Sequence, residues 1–457
     1  MTRNSGRPDN GSRSTIFARA TGAGRAGVAV FRVSGPQAFP IAEVLSGALP
    51  PPRTAALRTL RHADGTIDEG LLILFPSPAS FTGEDVAEFH LHGSIAVEDA
   101  LCDALLALDA APAERGEFTR RALLNGKLDL AEVEGLADLL EAETAAQRKQ
   151  ALGQFGGRLS SVTEGWRAQL VAIMAPLEAE IDFPDEEGVP AGIAAKALGE
   201  IAALIADLER SKAGAKRARA AREGVTVAII GAPNAGKSSL LNALAGSDRA
   251  IVSETPGTTR DVVEARLDLG GTLTTLFDTA GLRDDHSDAV EAEGIRRTRI
   301  KMGQADLRLL VIDVSDKEPS AAIGRYDFGY DLREHDLLVF NKTDANTSFI
   351  APSVSRETFL VSAKTGAGIE ALLARLTAIV ADLGGPGVDA GLTRARHEEA
   401  VEKALVHLRR ARDKVRAAPE LAAEDMRLAA RALGSITGAV GVEDLLDAIF
   451  SGFCIGK

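Results

Sequence analysis

Cysteine is nearly absent: only Cys102 and Cys454 occur in 457 residues, far apart and outside any C-x-x-C pair. That excludes a disulfide framework and offers no zinc-site spacing. Long apolar runs are missing too, since the longest are strand-sized, and the sequence predicts no bilayer span. Met1 to Ser14 is polar, contains glycine, serine and arginine, and lacks the apolar core of a secretory signal. It is expected to be a disordered tail on a cytoplasmic protein. An excess of positive charge is also lacking. The net charge of −13 argues against indiscriminate nucleic-acid binding, because phosphate affinity comes mainly from Lys and Arg, so any RNA contact must use a local patch or a partner protein. What is present is ordinary for a soluble globular protein, with 45% apolar and 26% charged residues. The length predicts two to four domains.

Residues 15–126 read as a small α+β unit. Gly27–Val33 and Leu71–Phe75 are strand-like, and Val86–His92 alternates as a third strand should. From Lys127 to Arg222 the apolar spacing becomes helical, interrupted by the two prolines of Phe183–Pro190. Residues 223–383 alternate strands and helices, the signature of a doubly wound, mostly parallel sheet. The breaker cluster Asp382-Leu-Gly-Gly-Pro-Gly387 then ends that region, and residues 384–457 are helical again. The expected architecture is therefore multidomain α/β plus α. An N-terminal α+β domain precedes a discontinuous helical domain (127–222 and 384–457) into which a P-loop α/β domain is inserted.

Within the inserted region, Gly231-Ala-Pro-Asn234-Ala235-Gly236-Lys237-Ser238-Ser239 matches G-x-x-x-x-G-K-[ST]. In that pattern backbone N–H groups cradle phosphates, the lysine reaches the outer ones and the hydroxyl after it faces Mg²⁺. The apolar run Val225–Ile230 before it and the helical spacing of Ser239–Leu244 after it supply the strand, loop and helix N-terminus the motif needs. Four more stretches follow in the order a guanine-nucleotide domain requires. Gly257-Thr258-Thr259-Arg260 offers a hydroxyl to Mg²⁺. Leu276-Phe277-Asp278-Thr-Ala-Gly281 offers a carboxylate to Mg²⁺ through water and a glycine N–H to the γ-phosphate. Asn341-Lys342-Thr343-Asp344 ends in a carboxylate that can accept from guanine N1 and N2, and Val361-Ser362-Ala363-Lys364 backs the base. Two such charge-assisted bonds total ~3–6 kcal/mol, enough for more than hundredfold discrimination, and favour GTP over ATP.

Hydrolysis also needs an oriented water and neutralised charge. Leu282 follows Gly281, so the water-orienting glutamine of Ras-type GTPases is missing, and the candidates lie in the polar stretch Arg283–Glu293. His90 and His92 share a strand face but lack a third ligand at a telling spacing. The basic stretches Lys212–Arg222 and Arg394–Arg416 read as solvated helices, with RNA contact as the alternative.

The chain resembles the MnmE (TrmE) family of tRNA-modification GTPases from about Ser14 to Lys457. The resemblance is carried by Gly24-Arg25-Ala-Gly-Val28, Ser80-Phe-Thr-Gly-Glu84-Asp85, Gly116-Glu-Phe-Thr-Arg-Arg121, Asn125-Gly-Lys127-Leu-Asp-Leu130, Gly257-Thr-Thr-Arg-Asp261 and the terminal Phe453-Cys454-Ile-Gly-Lys457. It implies a homodimeric GTPase that acts with the flavoprotein MnmG, an FAD protein. Together they would place an aminomethyl or carboxymethylaminomethyl group on C5 of the wobble uridine of certain tRNAs, with a tetrahydrofolate derivative as one-carbon source. By resemblance Arg25, Glu84 and Lys127 surround the folate. The resemblance also implies that potassium takes the place of an arginine finger, coordinated by Asn234, Ser253, Thr255 and Thr258, with Gly257 to Thr259 resembling the loop that closes over it. By the same resemblance Glu291 organises the attacking water, Asn234, Lys237 and Thr259 share the catalytic role, and Cys454 is a candidate reactive group. Two other readings remain: a regulatory GTPase switch in ribosome assembly, and a folate-binding scaffold whose nucleotide domain only dimerises.

Overall fold

A computed structural model describes residues 14–63, 65–182, 193–251, 264–278, 303–316, 333, 335–354, 356–384, 391–439, 449–450, 452–453 and 456. By compactness the chain divides into two units, Met1–Ala137 with Gly434–Lys457, and Asp138–Leu433. The inserted α/β region falls in the second unit with residues 138–222 and 384–433 of the two expected helical stretches, while 127–137 and 434–457 fall in the first.

The first unit is built on a six-stranded sheet in the order β3-β4-β5-β2-β1-β6. Its strands are β1 (Ile16–Arg19), β2 (Ala26–Ser34), β3 (Ala56–His62), β4 (Gly65–Phe75), β5 (Val86–Gly93) and β6 (Ala111–Pro112). Neighbours are antiparallel except β1 and β6. Along β5 the alternation seen in the sequence buries Ala87, Phe89 and Leu91 on one face and turns Glu88, His90 and His92 to the other. α1 (Ala38–Ser46) buries Ala38, Ile41, Ala42 and Leu45, the 3–4 spacing of one helix face. α2 (Ile95–Ala107) starts at Ser94, whose hydroxyl accepts from the Val97 N–H at 3.2 Å. These helices join Phe31 and Phe89 in one core, where each fully buried large side chain contributes roughly 1.5–3 kcal/mol. α3 (Glu117–Leu124) begins after Gly116, at φ 67°. A Cβ there would lie 2.7 Å from the Phe450 ring, so a glycine lets Phe450 and Phe453 seat against this turn. α4 (Leu130–Glu141) follows.

The second unit opens with α5 (Ala145–Phe155), α6 (Arg158–Asp182) and α7 (Ile193–Glu223), α5 being started by a reciprocal Thr144–Gln147 capping box. A second six-stranded sheet, β12-β11-β10-β7-β9-β8, comprises β7 (Val225–Gly231), β8 (Glu264–Leu269), β9 (Thr272–Asp278), β10 (Leu307–Asp313), β11 (Leu337–Asn341) and β12 (Thr358–Leu360). Every pairing is parallel except the antiparallel edge strand β8. β7 lies inside the sheet, with Val227 and Ile229 in the core on one face and Ala228 and Ile230 in that on the other. Burial on both faces explains its continuous apolar run. α8 (Lys237–Ala245) and α9 (Ile369–Gly384) cover one face. α10 (Ala395–Lys414) packs along α7, so the two helical stretches on either side of the inserted region meet. α11 (Pro419–Thr437) follows. Among the described residues no helix is long and apolar enough to cross a membrane.

Candidate functional site

The carboxyl ends of β7, β9, β10 and β11 come side by side. Val311 is in register with Gly231, Asp278 with Ile229, and Asp313 with Asn341. In an open parallel sheet this end is where ligands bind. β7 runs into the loop Gly231–Gly236, and Gly231 approaches β10 so closely that a Cβ would lie 2.3 Å from the Val311 carbonyl oxygen. Gly236 takes φ 89°, and a Cβ on it would strike the Asn341 amide at 2.3 Å. Asn234 also adopts a left-handed conformation, φ 62°. α8 then starts at Lys237, with its first-turn N–H groups and positive dipole end at the loop.

The polar side chains of this corner are bound to one another or to the backbone of its loops. Lys237, 6% exposed, donates from Nζ to the Ala232 carbonyl at 2.8 Å. Ser238 Oγ donates to Asp278 Oδ2 at 2.5 Å, and Asp278 is buried at the end of β9. Two hard oxygen donors in contact are the chemistry Mg²⁺ selects. Asn341, buried, donates from Nδ2 to the Ala235 carbonyl at 3.0 Å and accepts from the Ala363 N–H at 3.1 Å. One amide therefore ties the phosphate-type loop to the Ser362–Lys364 turn. Ser362 Oγ donates to Asp344 Oδ1 at 2.6 Å, and this bond holds the Asp344 carboxyl below the usual aspartate range. An exposed carboxylate kept ionised is suited to accept from two N–H donors of a base.

The structure thus brings together Asn234, Ala235, Gly236, Lys237, Ser238, Ser239, Asp278, Asn341, Lys342, Asp344, Ser362, Ala363 and Lys364. Ser253, Thr255, Thr258, Thr259, Gly281, Glu291 and Cys454 lie outside the described residues. One member escaped the sequence reading. Asp313, at the end of β10, accepts from Lys342 Nζ at 2.6 Å. Burial pushes the Asp313 carboxyl up, but the hydrogen bonds from Lys342 and Ser315 outweigh it and leave it below the usual range. The only signal was an aspartate closing an apolar strand, Leu307–Asp313.

A second polar cluster belongs to the first unit. Glu84, 7% exposed, accepts from Ser34 Oγ at 2.8 Å and from Arg121 Nη1 at 3.1 Å, and Arg121 also donates to Glu117 at 2.8 Å. Lys127 donates to the Pro78 carbonyl at 3.1 Å. Its stem lies against Gly83, where a Cβ would be 3.2 Å from Lys127 Cγ, so Glu84 and Lys127 share one patch. Arg25 is exposed just ahead of β2. Gly456 packs on Arg19, since a Cβ on it would lie 2.1 Å from the Arg19 carbonyl oxygen. Arg121, the cation that neutralises Glu84, was visible in the sequence only as part of a family-like stretch.

His92 Nδ1 lies 2.9 Å from Asp68, and His90 Nε2 lies 3.5 Å from Glu88. Among the described residues no group of three His, Cys, Asp or Glu side chains is placed to hold a metal. The Cys102 thiol is pushed up by burial and by Glu98, Asp99 and Asp103, which makes it a poor nucleophile. The two basic stretches face acids on the neighbouring helix: Lys212–Glu402 at 2.5 Å, Arg219–Glu398 at 3.0 Å and Arg409–Glu209 at 2.8 Å.

Two family models and many known proteins match this chain. The family described as GTP-binding protein TrmE N-terminus matches residues 15–127, and the one described as MnmE helical domain matches residues 130–454. The tRNA modification GTPase MnmE of Maricaulis maris is 50% identical over 446 residues, covering 97% of this chain and 99% of its own. That of Caulobacter vibrioides is 49% identical over 455 residues, 97% of this chain and 99% of its own. That of Granulibacter bethesdensis is 47% identical over 447 residues, 98% of this chain and 100% of its own.

Proposed function

The chain belongs to the MnmE family of tRNA modification GTPases, and from that premise we propose a potassium-activated GTP hydrolysis cycle that serves tRNA wobble-uridine modification. The observation that carries the proposal is the linked corner at the end of the parallel sheet, where Asn341 joins the phosphate-type loop to the base-type loop. In this reading the N–H groups of Asn234–Ser239 and the Lys237 ammonium hold the phosphates, and Asp344 selects guanine. Ser238 and Asp278 hold Mg²⁺, which when bound offsets charge on the β- and γ-phosphates. Thr259 adds a hydroxyl to that ion and Gly281 an N–H to the γ-phosphate. Leu282 cannot orient water, so Glu291 takes that role. Asn234, with Ser253, Thr255 and Thr258, holds potassium, which when bound stands in for an arginine finger. Asn234 is exposed and left-handed at the loop, which leaves its side chain accessible to such an ion.

The first unit would bind a tetrahydrofolate derivative. The Glu84 carboxylate retains acceptor capacity beyond Ser34 and Arg121, which fits ring N–H donors, and Lys127 and Arg25 supply cations for glutamate oxygens. A homodimer working in the cytoplasm with an MnmG-type FAD protein and tRNA completes the reading. Cys454 is the remaining candidate for a reactive group.

Two measurements test it. GTP turnover by the purified protein should be many times faster in potassium than in sodium, and equal rates sink the cation assignment. Mass spectrometry of tRNA nucleosides from cells lacking the protein should show loss of C5-modified wobble uridine. Intact modification would favour a ribosome-assembly switch instead.

A further inference from the structure

Lys342 stands between two loops. Its backbone is left-handed, φ 66°, and its Nζ donates both to the Asn234 carbonyl at 2.8 Å and to Asp313 Oδ2 at 2.6 Å. Asp313 is itself fixed, because its Oδ1 accepts from the Ser315 N–H at 2.9 Å and from Ser315 Oγ at 2.6 Å. Both carboxylate oxygens are thereby committed. The Asp313 side chain is 21% exposed and that of Lys342 36%, so the pair sits at the edge of the solvent rather than in it.

We infer that Asp313 is a positioning residue for nucleotide binding. It holds the Lys342 ammonium on the Asn234 carbonyl and so keeps the phosphate-type loop in its left-handed turn. A lysine has three rotatable donors and a flexible stem, and one carbonyl does not specify where its charge rests. The carboxylate supplies that specification, and the stretch Asn341–Asp344 and the loop Gly231–Gly236 then move as one body. Loss of the Asp313 charge leaves the lysine rotamers free, and the loop must be ordered afresh each time nucleotide binds. The inference rests on reading Asn341–Asp344 as the guanine-binding stretch.

The test uses the full chain with Asp313→Asn. Release of a fluorescent GDP analogue is expected to speed up about tenfold, the loss of one charge-assisted bond. KM for GTP should rise in step while kcat at saturating GTP stays within about twofold, because no reacting atom is touched. Asp313→Glu should recover part of the loss. In a Lys342→Met background Asp313→Asn should add nothing, since the carboxylate acts through that ammonium. Ser315→Ala, which keeps both charges but loosens Asp313, should quicken release about twofold and serves if Asp313→Asn does not fold. Unchanged release in a folded Asp313→Asn protein overturns the inference, and so does a full additional effect in the Lys342→Met background. Asp344→Asn in the same assay separates the two readings: if it leaves GTP binding intact, the base-site assignment is what fails.

Discussion

Replacing Arg121 by methionine removes the cation from a nearly dry cluster while keeping most of the side-chain volume. The guanidinium contacts Glu84 at 3.1 Å and Glu117 at 2.8 Å, and the Arg121 and Glu84 side chains are 12% and 6% exposed. Breaking a buried pair from one side costs about 3–5 kcal/mol, because the other charge is stranded. Glu84 keeps the Ser34 hydroxyl at 2.8 Å, which lowers the expected loss to about 2–3 kcal/mol. The lone tryptophan, Trp166, lies in the other unit and does not report this one. Hydrogen exchange by mass spectrometry is therefore the assay, read as opening free energies of the β5 and α3 peptides. Adding Glu84→Gln removes the stranded charge, and the double variant should regain about 1–2 kcal/mol over Arg121→Met alone. A loss below about 0.5 kcal/mol in the single variant, or simple additivity in the pair, refutes the view that Arg121 neutralises Glu84.

Asp344→Asn turns an ionised acceptor into an amide, so GTP affinity should fall more than about a hundredfold. A nucleotide carrying a carbonyl at C2 should bind better than GTP, which competition titration measures. The Asp313 and Asp344 carboxyls are both held below the usual range, so the stability each contributes is complete above the unfolded value of ~3.9 and is lost only as pH falls through the lower folded value. Affinity for a fluorescent GDP analogue should accordingly show no titration from these groups between about pH 8 and pH 5, and a midpoint near pH 6 would contradict the assignment. Gly116→Ala places a methyl group 2.7 Å from Phe450 at φ 67°. Carboxypeptidase should then trim the C-terminal segment several times faster than in the parent, and equal rates would mean that this segment is held elsewhere.

Local pattern carried the nucleotide domain a long way. β7 and α8 fall within a residue or two of the runs Val225–Ile230 and Ser239–Leu244, because a strand buried on both faces reads as an unbroken apolar run and glycines mark its exit. β1, β3 and β6 went unread. β1 and β6 are four and two residues long, and β3 intersperses Arg58, Arg61 and His62 along a mostly half-buried strand, so neither periodicity nor composition set them apart.

The sequence by itself nominated the residues proposed to meet a guanine nucleotide, since each motif is a short local pattern of glycines, polar residues and flanking apolar runs. Tertiary structure alone decided what those residues lean on. Asp313 and Lys342 are 29 positions apart, Glu84 and Arg121 are 37 apart, and Gly116 meets Phe450 from the opposite end of the chain. Such pairs depend on strand order and on which helix ends against which turn. No local pattern encodes that, because the free energy that selects one partner for a buried charge comes from the packing of the whole unit.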